Sequence, residues 1–119
     1  MSEEEEILPL FVYADWLAVT GTDGLVAGLQ RRPARARGHL HRLPSGAPAL
    51  APAPDAWVSG AVIDPPGARR LALLDRLAGV GDGGYRRAEL RVWTDRGPES
   101  AWAYVIDAPR AAGAGAARP

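Results

Sequence analysis

The sequence predicts a small α+β domain with a strongly curved sheet. Three observations carry that expectation. About five short runs are apolar and β-branched or aromatic, or alternate between apolar and polar. One stretch repeats its leucines at helical spacing. The chain has 119 residues, 47% of them apolar, enough for one core and one domain.

Taken in order, Leu8 to Tyr13 reads LPLFVY, a short aromatic and β-branched run that fits a buried strand. Residues 14–32 hold the turn cluster Thr20-Gly21-Thr22-Asp23-Gly24 and then Leu25-Val26-Ala27-Gly28-Leu29, a loop with at most one or two helical turns. Residues 34–43 alternate, with Ala34, Ala36, Gly38 and Leu40 on one side and Arg35, Arg37, His39 and His41 on the other, as in one half-buried strand. Pro44 to Asp55 is rich in proline and alanine and reads as a connecting loop, and Trp57 to Ile63 as a strand. Asp64-Pro65-Pro66 should start a helix, with Asp64 capping its free N–H groups. Leu71, Leu74, Leu77 and Ala78 share one face of that helix, and Gly79 is placed to end it. After the glycine-rich bend Gly79–Gly84, Tyr85–Thr94 and Ser100–Ile106 form a hairpin across Asp95-Arg96-Gly97-Pro98. The acidic start (residues 1–7) and the Ala/Gly/Pro tail (residues 108–119) are expected to be disordered, leaving 8–107 as the domain.

Composition excludes several functions. Without cysteine there is no disulfide and no thiolate metal site. No apolar run is long enough for a bilayer, and the acidic start Glu3–Glu6 is unlike a signal peptide, so a cytoplasmic location is the expectation. The formal charge is zero, but with Glu3–Glu6 set aside fourteen arginines face ten acidic residues. There is no lysine and no asparagine, a bias that suits a GC-rich coding sequence. No interleaving of aromatic and basic residues accompanies the arginines, so neither nucleic acid nor membrane is expected as a partner.

The residues alone yield no catalytic set. His39 and His41 would lie about 6–7 Å apart on one strand face, but a metal needs a third ligand and Arg35 and Arg37 would repel a cation. No Gly-x-Ser-x-Gly elbow is present, and the glycine-rich bend follows a helix where a phosphate loop precedes one. Trp57, Trp93, Trp102 and Tyr104 lie in strands and fit core or sheet-face positions.

Several stretches together resemble the γ-glutamylcyclotransferase-like superfamily, in particular its AIG2-like branch. Phe11-Val12-Tyr13 resembles its first strand, which continues "YGT" or "YGS". Arg37-Gly38-His39-Leu40 is similar to "xGxL", Pro48-Ala49-Leu50 to "yPal", and Trp57–Val62 to "xVxGevy". Leu74-Asp75-Arg76-Leu77-Ala78-Gly79 resembles "LDxyEG", Tyr85-Arg86-Arg87 "YxR", and Ala101–Val105 "awxYv". The pieces keep their order over about residues 8–107. The resemblance implies a small mixed β-barrel of about five strands with a flanking helix and a cavity at one end, lined by Tyr13, Ala14, Asp15, Trp16, Leu17, Ala78 and Tyr85.

The same resemblance implies a reaction in which a glutamate relays a proton while the substrate's α-amine attacks the γ-carbonyl, releasing an amine and 5-oxoproline. Ala78 stands at the position of that glutamate and cannot change protonation state. Ala14-Asp15-Trp16 stands where the family's glycine lets the backbone approach the ligand. The expectation is therefore a pseudoenzyme that binds a small γ-glutamyl-like ligand or a protein partner, without cofactor or metal. The alternative is an active enzyme with a relocated carboxylate, Asp15 or Asp82. Asp75 is expected to be structural, bonded to backbone or an arginine, and Glu89 to face solvent.

Overall fold

We describe residues 8–107 of a computed structural model. The strands are β1 (Leu10–Tyr13), β2 (Arg31–Arg37), β3 (His39–Arg42), β4 (Pro48–Ala51), β5 (Trp57–Ile63), β6 (Arg86–Thr94) and β7 (Gly97–Val105). Two helices accompany them, α1 (Trp16–Thr20) and α2 (Ala68–Leu77), with a 3-10 turn at Asp23–Val26. The sheet order is β1-β5-β2-β6-β7-β4-β3, and β1 also pairs with β7. That last pairing closes β1, β5, β2, β6 and β7 into a barrel. It is a mixed barrel, because β1 and β7 run parallel while its other neighbours are antiparallel. The fold class is thus the one expected. The acidic start and the tail lie outside the described residues.

The barrel interior is filled by alternate residues of its strands: Phe11, Val58, Val62, Ala36, Val92, Ala101 and Ala103 are all buried. The ladder between β2 and β6 is short, confined to Arg35–Trp93 and Ala36–Val92. Pro33 has no N–H to extend it. Side chains bridge the gap instead. The Arg32 guanidinium donates to both carboxylate oxygens of Glu99 at 3.2 and 3.3 Å, and the Thr94 hydroxyl donates to the same carboxylate at 3.1 Å.

Five sequence expectations need correction. Residues 34–43 are two strands, because the chain turns at Gly38 from β5 to β4 as its partner. A Cβ at Gly38 would sit 2.8 Å from the Ala51 carbonyl oxygen, so a side chain cannot occupy that corner. Leu40, past the corner, is 45% exposed. His39 and His41 therefore do not share a strand with Arg35 and Arg37. Pro44 to Asp55, expected as a connecting loop, contains β4, buried throughout, which pairs with β3 and, at Leu50–Val105, with β7. Pro48 is tolerated as its first residue.

The helix begins at Ala68, and Gly67 occupies the N-cap without any side-chain bond. Asp64 remains with the sheet, its N–H bonded to the Gln30 carbonyl at 3.0 Å. Each residue before a proline is disfavoured in the helical region, which holds Asp64 and Pro65 out of the helix. Leu77 is 54% exposed, whereas Leu71, Leu74 and Ala78 are buried. Finally, the hairpin turn is two residues, Asp95-Arg96, since Thr94 pairs directly with Gly97. Gly79 ends α2 as expected, at φ +73°, with its N–H bonded to Arg76 and that of Val80 to Asp75.

Candidate functional site

β1 delivers Tyr13 to one end of the barrel, and Ala14 turns the chain there. Ala14 has φ +50°, a left-handed conformation uncommon for a residue with a side chain. The turn starts α1 at once and seats Trp16 and Leu17 inward, both buried. The Trp16 indole stacks on the Tyr104 ring at 5.0 Å with an interplanar angle of 6° and meets the Tyr85 ring edge-on at 5.7 Å. Only 1% of Trp16 is exposed. From the other side, the Tyr85 N–H donates to the carbonyl of Ala78, the buried last residue of the α2 region. Gly84 makes that corner possible, since a Cβ there would fall 2.3 Å from the Ala78 oxygen.

The tyrosine hydroxyls tie this cluster to β4 and β7. Tyr13 donates to the Tyr104 carbonyl at 2.6 Å and accepts from the Leu50 N–H at 3.1 Å. Tyr85 donates to the Pro48 carbonyl at 2.6 Å. Tyr104 donates to Asp75 Oδ1 at 2.7 Å, an oxygen that also accepts from Arg87 Nε at 2.9 Å. The Arg87 guanidinium lies 4.3 Å over the Trp102 ring. Burial pushes the Tyr13 hydroxyl well above the usual tyrosine range. Burial does the same for Tyr104, assisted by its bond to the Asp75 carboxylate. These hydroxyls stay protonated and engaged, and offer structure more readily than proton transfer.

The structure brings Tyr13, Trp16, Ala78 and Tyr85 together and places the other expected residues around them. Asp15 turns outward: its carboxylate accepts from the Arg42 guanidinium at 2.8 Å, and about half of its side chain is exposed. Asp82 lies exposed in the glycine-rich bend. Glu89 is exposed on β6. Asp75 is bonded to an arginine, as expected, but the Tyr104 hydroxyl is a partner the sequence did not suggest. Arg42, Pro48 and Leu50 were also missed, since their partners lie 27 or 37 residues away.

His39 is paired with Asp55 at 2.8 Å, and the two histidine rings stand 6.4 Å apart. Among the described residues no group of three or more His, Cys, Asp or Glu could hold a metal, and no helix is long and apolar enough to cross a membrane.

Known proteins share this architecture. An Arabidopsis thaliana protein solved in solution superposes with a TM-score of 0.69 at 22% identity, covering 95% of this chain and 72% of its own. A structure described as gamma-glutamyl cyclotransferase gives 0.68 at 21% identity, over 85% of this chain and 67% of the other. An AIG2-like protein from Mus musculus gives 0.60 at 16% identity, over 90% and 83%. The chain spans 36% of the longer YkqA from Bacillus subtilis. No curated protein matches the sequence significantly. The profile of the family described as "Gamma-glutamyl cyclotransferase, AIG2-like" matches residues 10–117, and the chain belongs to that family.

Proposed function

We propose that this AIG2-like domain has given up γ-glutamyl cyclotransferase chemistry and works as a binding or interaction module. The observation that carries the reading is Trp16, buried between Tyr85 and Tyr104 beside the Ala78 corner. Its indole fills space at the end of the barrel where the family resemblance locates the substrate. Ala78 brings no titratable group to that corner. Loss of a positioned general acid/base costs about 10²–10⁴-fold in rate, and an indole in the same space opposes substrate entry as well.

A relocated carboxylate has less support. Asp15 is paired with Arg42, which neutralises the charge a basic substrate amine would need. Asp82 is exposed.

The test is release of 5-oxoproline from a panel of γ-glutamyl amines and dipeptides. Wild type should stay at the uncatalysed background. Turnover that Asp15→Ala or Asp82→Ala abolishes would establish the active reading instead.

A further inference from the structure

We propose that the outer face of the barrel formed by β5, β2 and β6 binds single-stranded nucleic acid. The strand registers build this face. Arg37 lies opposite Trp57, and Arg35 lies opposite both Ser59 and Trp93. Arg91 stands two residues before Trp93 on the same outward side of β6. Trp57 meets Trp93 edge-on at 5.0 Å, and the Arg35 and Arg37 guanidiniums lie over the Trp57 ring at 4.3 and 3.9 Å. The fold gathers these aromatic and basic side chains from three strands.

The cations and the grooves point to the ligand. Among the described residues no carboxylate is ion-paired with Arg35, Arg37 or Arg91, as also for Arg31, Arg69, Arg70, Arg76 and Arg96; Arg37 donates to the Pro54 carbonyl at 3.2 Å, and the exposed Glu89 shares the outward side of β6 with Arg91. Trp93 forms a wall of two grooves. One, of about 480 Å³, runs between Pro52–Pro54 and Leu90 with Arg37 and Arg91 on its rim. The other, of about 340 Å³, lies along Pro33–Arg35 and reaches Asp95. A planar apolar group fits beside an indole, and the guanidiniums can hold an anion next to it. A nucleotide repeat supplies both a stacking face and a phosphate, and single strands leave their bases free to stack. An acidic peptide would use the arginines and leave the apolar groove empty. This proposal does not depend on whether cyclotransferase activity is lost.

The full chain is titrated against a fluorescein-labelled twelve-residue oligouridine and the matching oligothymidine, read by anisotropy and tryptophan quenching. The duplex, polyglutamate and a proline-rich peptide are the comparison ligands. Both single strands should bind more tightly than all three. With three phosphate contacts, affinity should fall about twenty-fold between 50 and 200 mM salt. Trp93→Ala should weaken binding by about 5- to 150-fold, as loss of one stacked base does. Arg35→Gln/Arg37→Gln/Arg91→Gln should abolish most of the salt dependence. The same charge removed from α2, Arg69→Gln/Arg70→Gln/Arg76→Gln, should change affinity less than twofold. If Trp93→Ala does not fold, the two exposed arginine triples decide alone. Equal losses from both triples overturn the proposal. So do polyglutamate or the proline-rich peptide binding as tightly as RNA, or no single-strand binding at 50 mM salt.

Discussion

Trp16 opens α1 and Trp57 opens β5, and each lies 5.0 Å from a second aromatic ring, yet one is 1% exposed and the other 37%. Their neighbours differ. Around Trp16 the partners are tyrosines whose hydroxyls are fixed to backbone carbonyls or to Asp75. Around Trp57 they are guanidiniums, which water can solvate and a ligand can claim. Aromatic clusters of similar composition can thus be structural or available, and the difference lies in what closes over them.

The largest expected effect tests that distinction directly. Trp16→Ala should lower unfolding free energy by about 3–5 kcal/mol, the cost of emptying a packed aromatic site. Trp57→Ala, losing a partly solvated cation–π contact, should cost no more than about 1.5 kcal/mol. Urea unfolding of both variants measures the gap. Equal costs would mean the outer tryptophan is as structural as the inner one.

A smaller effect separates hydroxyls within the inner cluster. Tyr13→Phe strands the Leu50 N–H and the Tyr104 carbonyl in the interior and should cost about 1–3 kcal/mol. Tyr104→Phe should cost nearer 1 kcal/mol, because Asp75 keeps Arg87. A reversed order in urea unfolding would place the load on the Asp75 link. The same hydroxyls set a pH limit. Both are held protonated in the folded state, so their contribution is complete below the unfolded tyrosine value near pH 10 and declines as pH rises above it. Absorbance at 295 nm should show that they ionise only as the protein unfolds. Tyr13→Phe should flatten the alkaline loss of stability.

How much of this could be read beforehand varied with how local the cause was. β5 could be read residue for residue, because its alternation is imposed by strands on both sides. β4 could not, because Pro-Ala-Leu-Ala gains strand character only from β3 and β7. Leu40 and Leu77 follow the right periods but lie where a corner or an uncovered helix side leaves them outside. In the site, motif resemblance brought Tyr13, Trp16, Ala78 and Tyr85 to one place. The bonds that fix the cluster join residues 29, 37 and 91 apart, and no sequence period encodes them. The outer Trp–Arg face was invisible for the same reason.

The smallest effect concerns the residue that touches both regions. Ala14 starts the turn that seats Trp16, and it also lines the groove that contains His39, Trp57 and Ser59. Its φ of +50° costs an alanine about 1–2 kcal/mol relative to the right-handed region. Glycine would remove that strain and give back about 0.5–1 kcal/mol through its more flexible unfolded chain. Ala14→Gly should therefore stabilise the domain by roughly 0.5–1 kcal/mol, seen as a higher urea midpoint at unchanged slope. A lower midpoint would mean that the Ala14 methyl makes contacts worth more than its strain. The turn would then be packed for alanine, and the inner cluster and outer groove would share a structural residue.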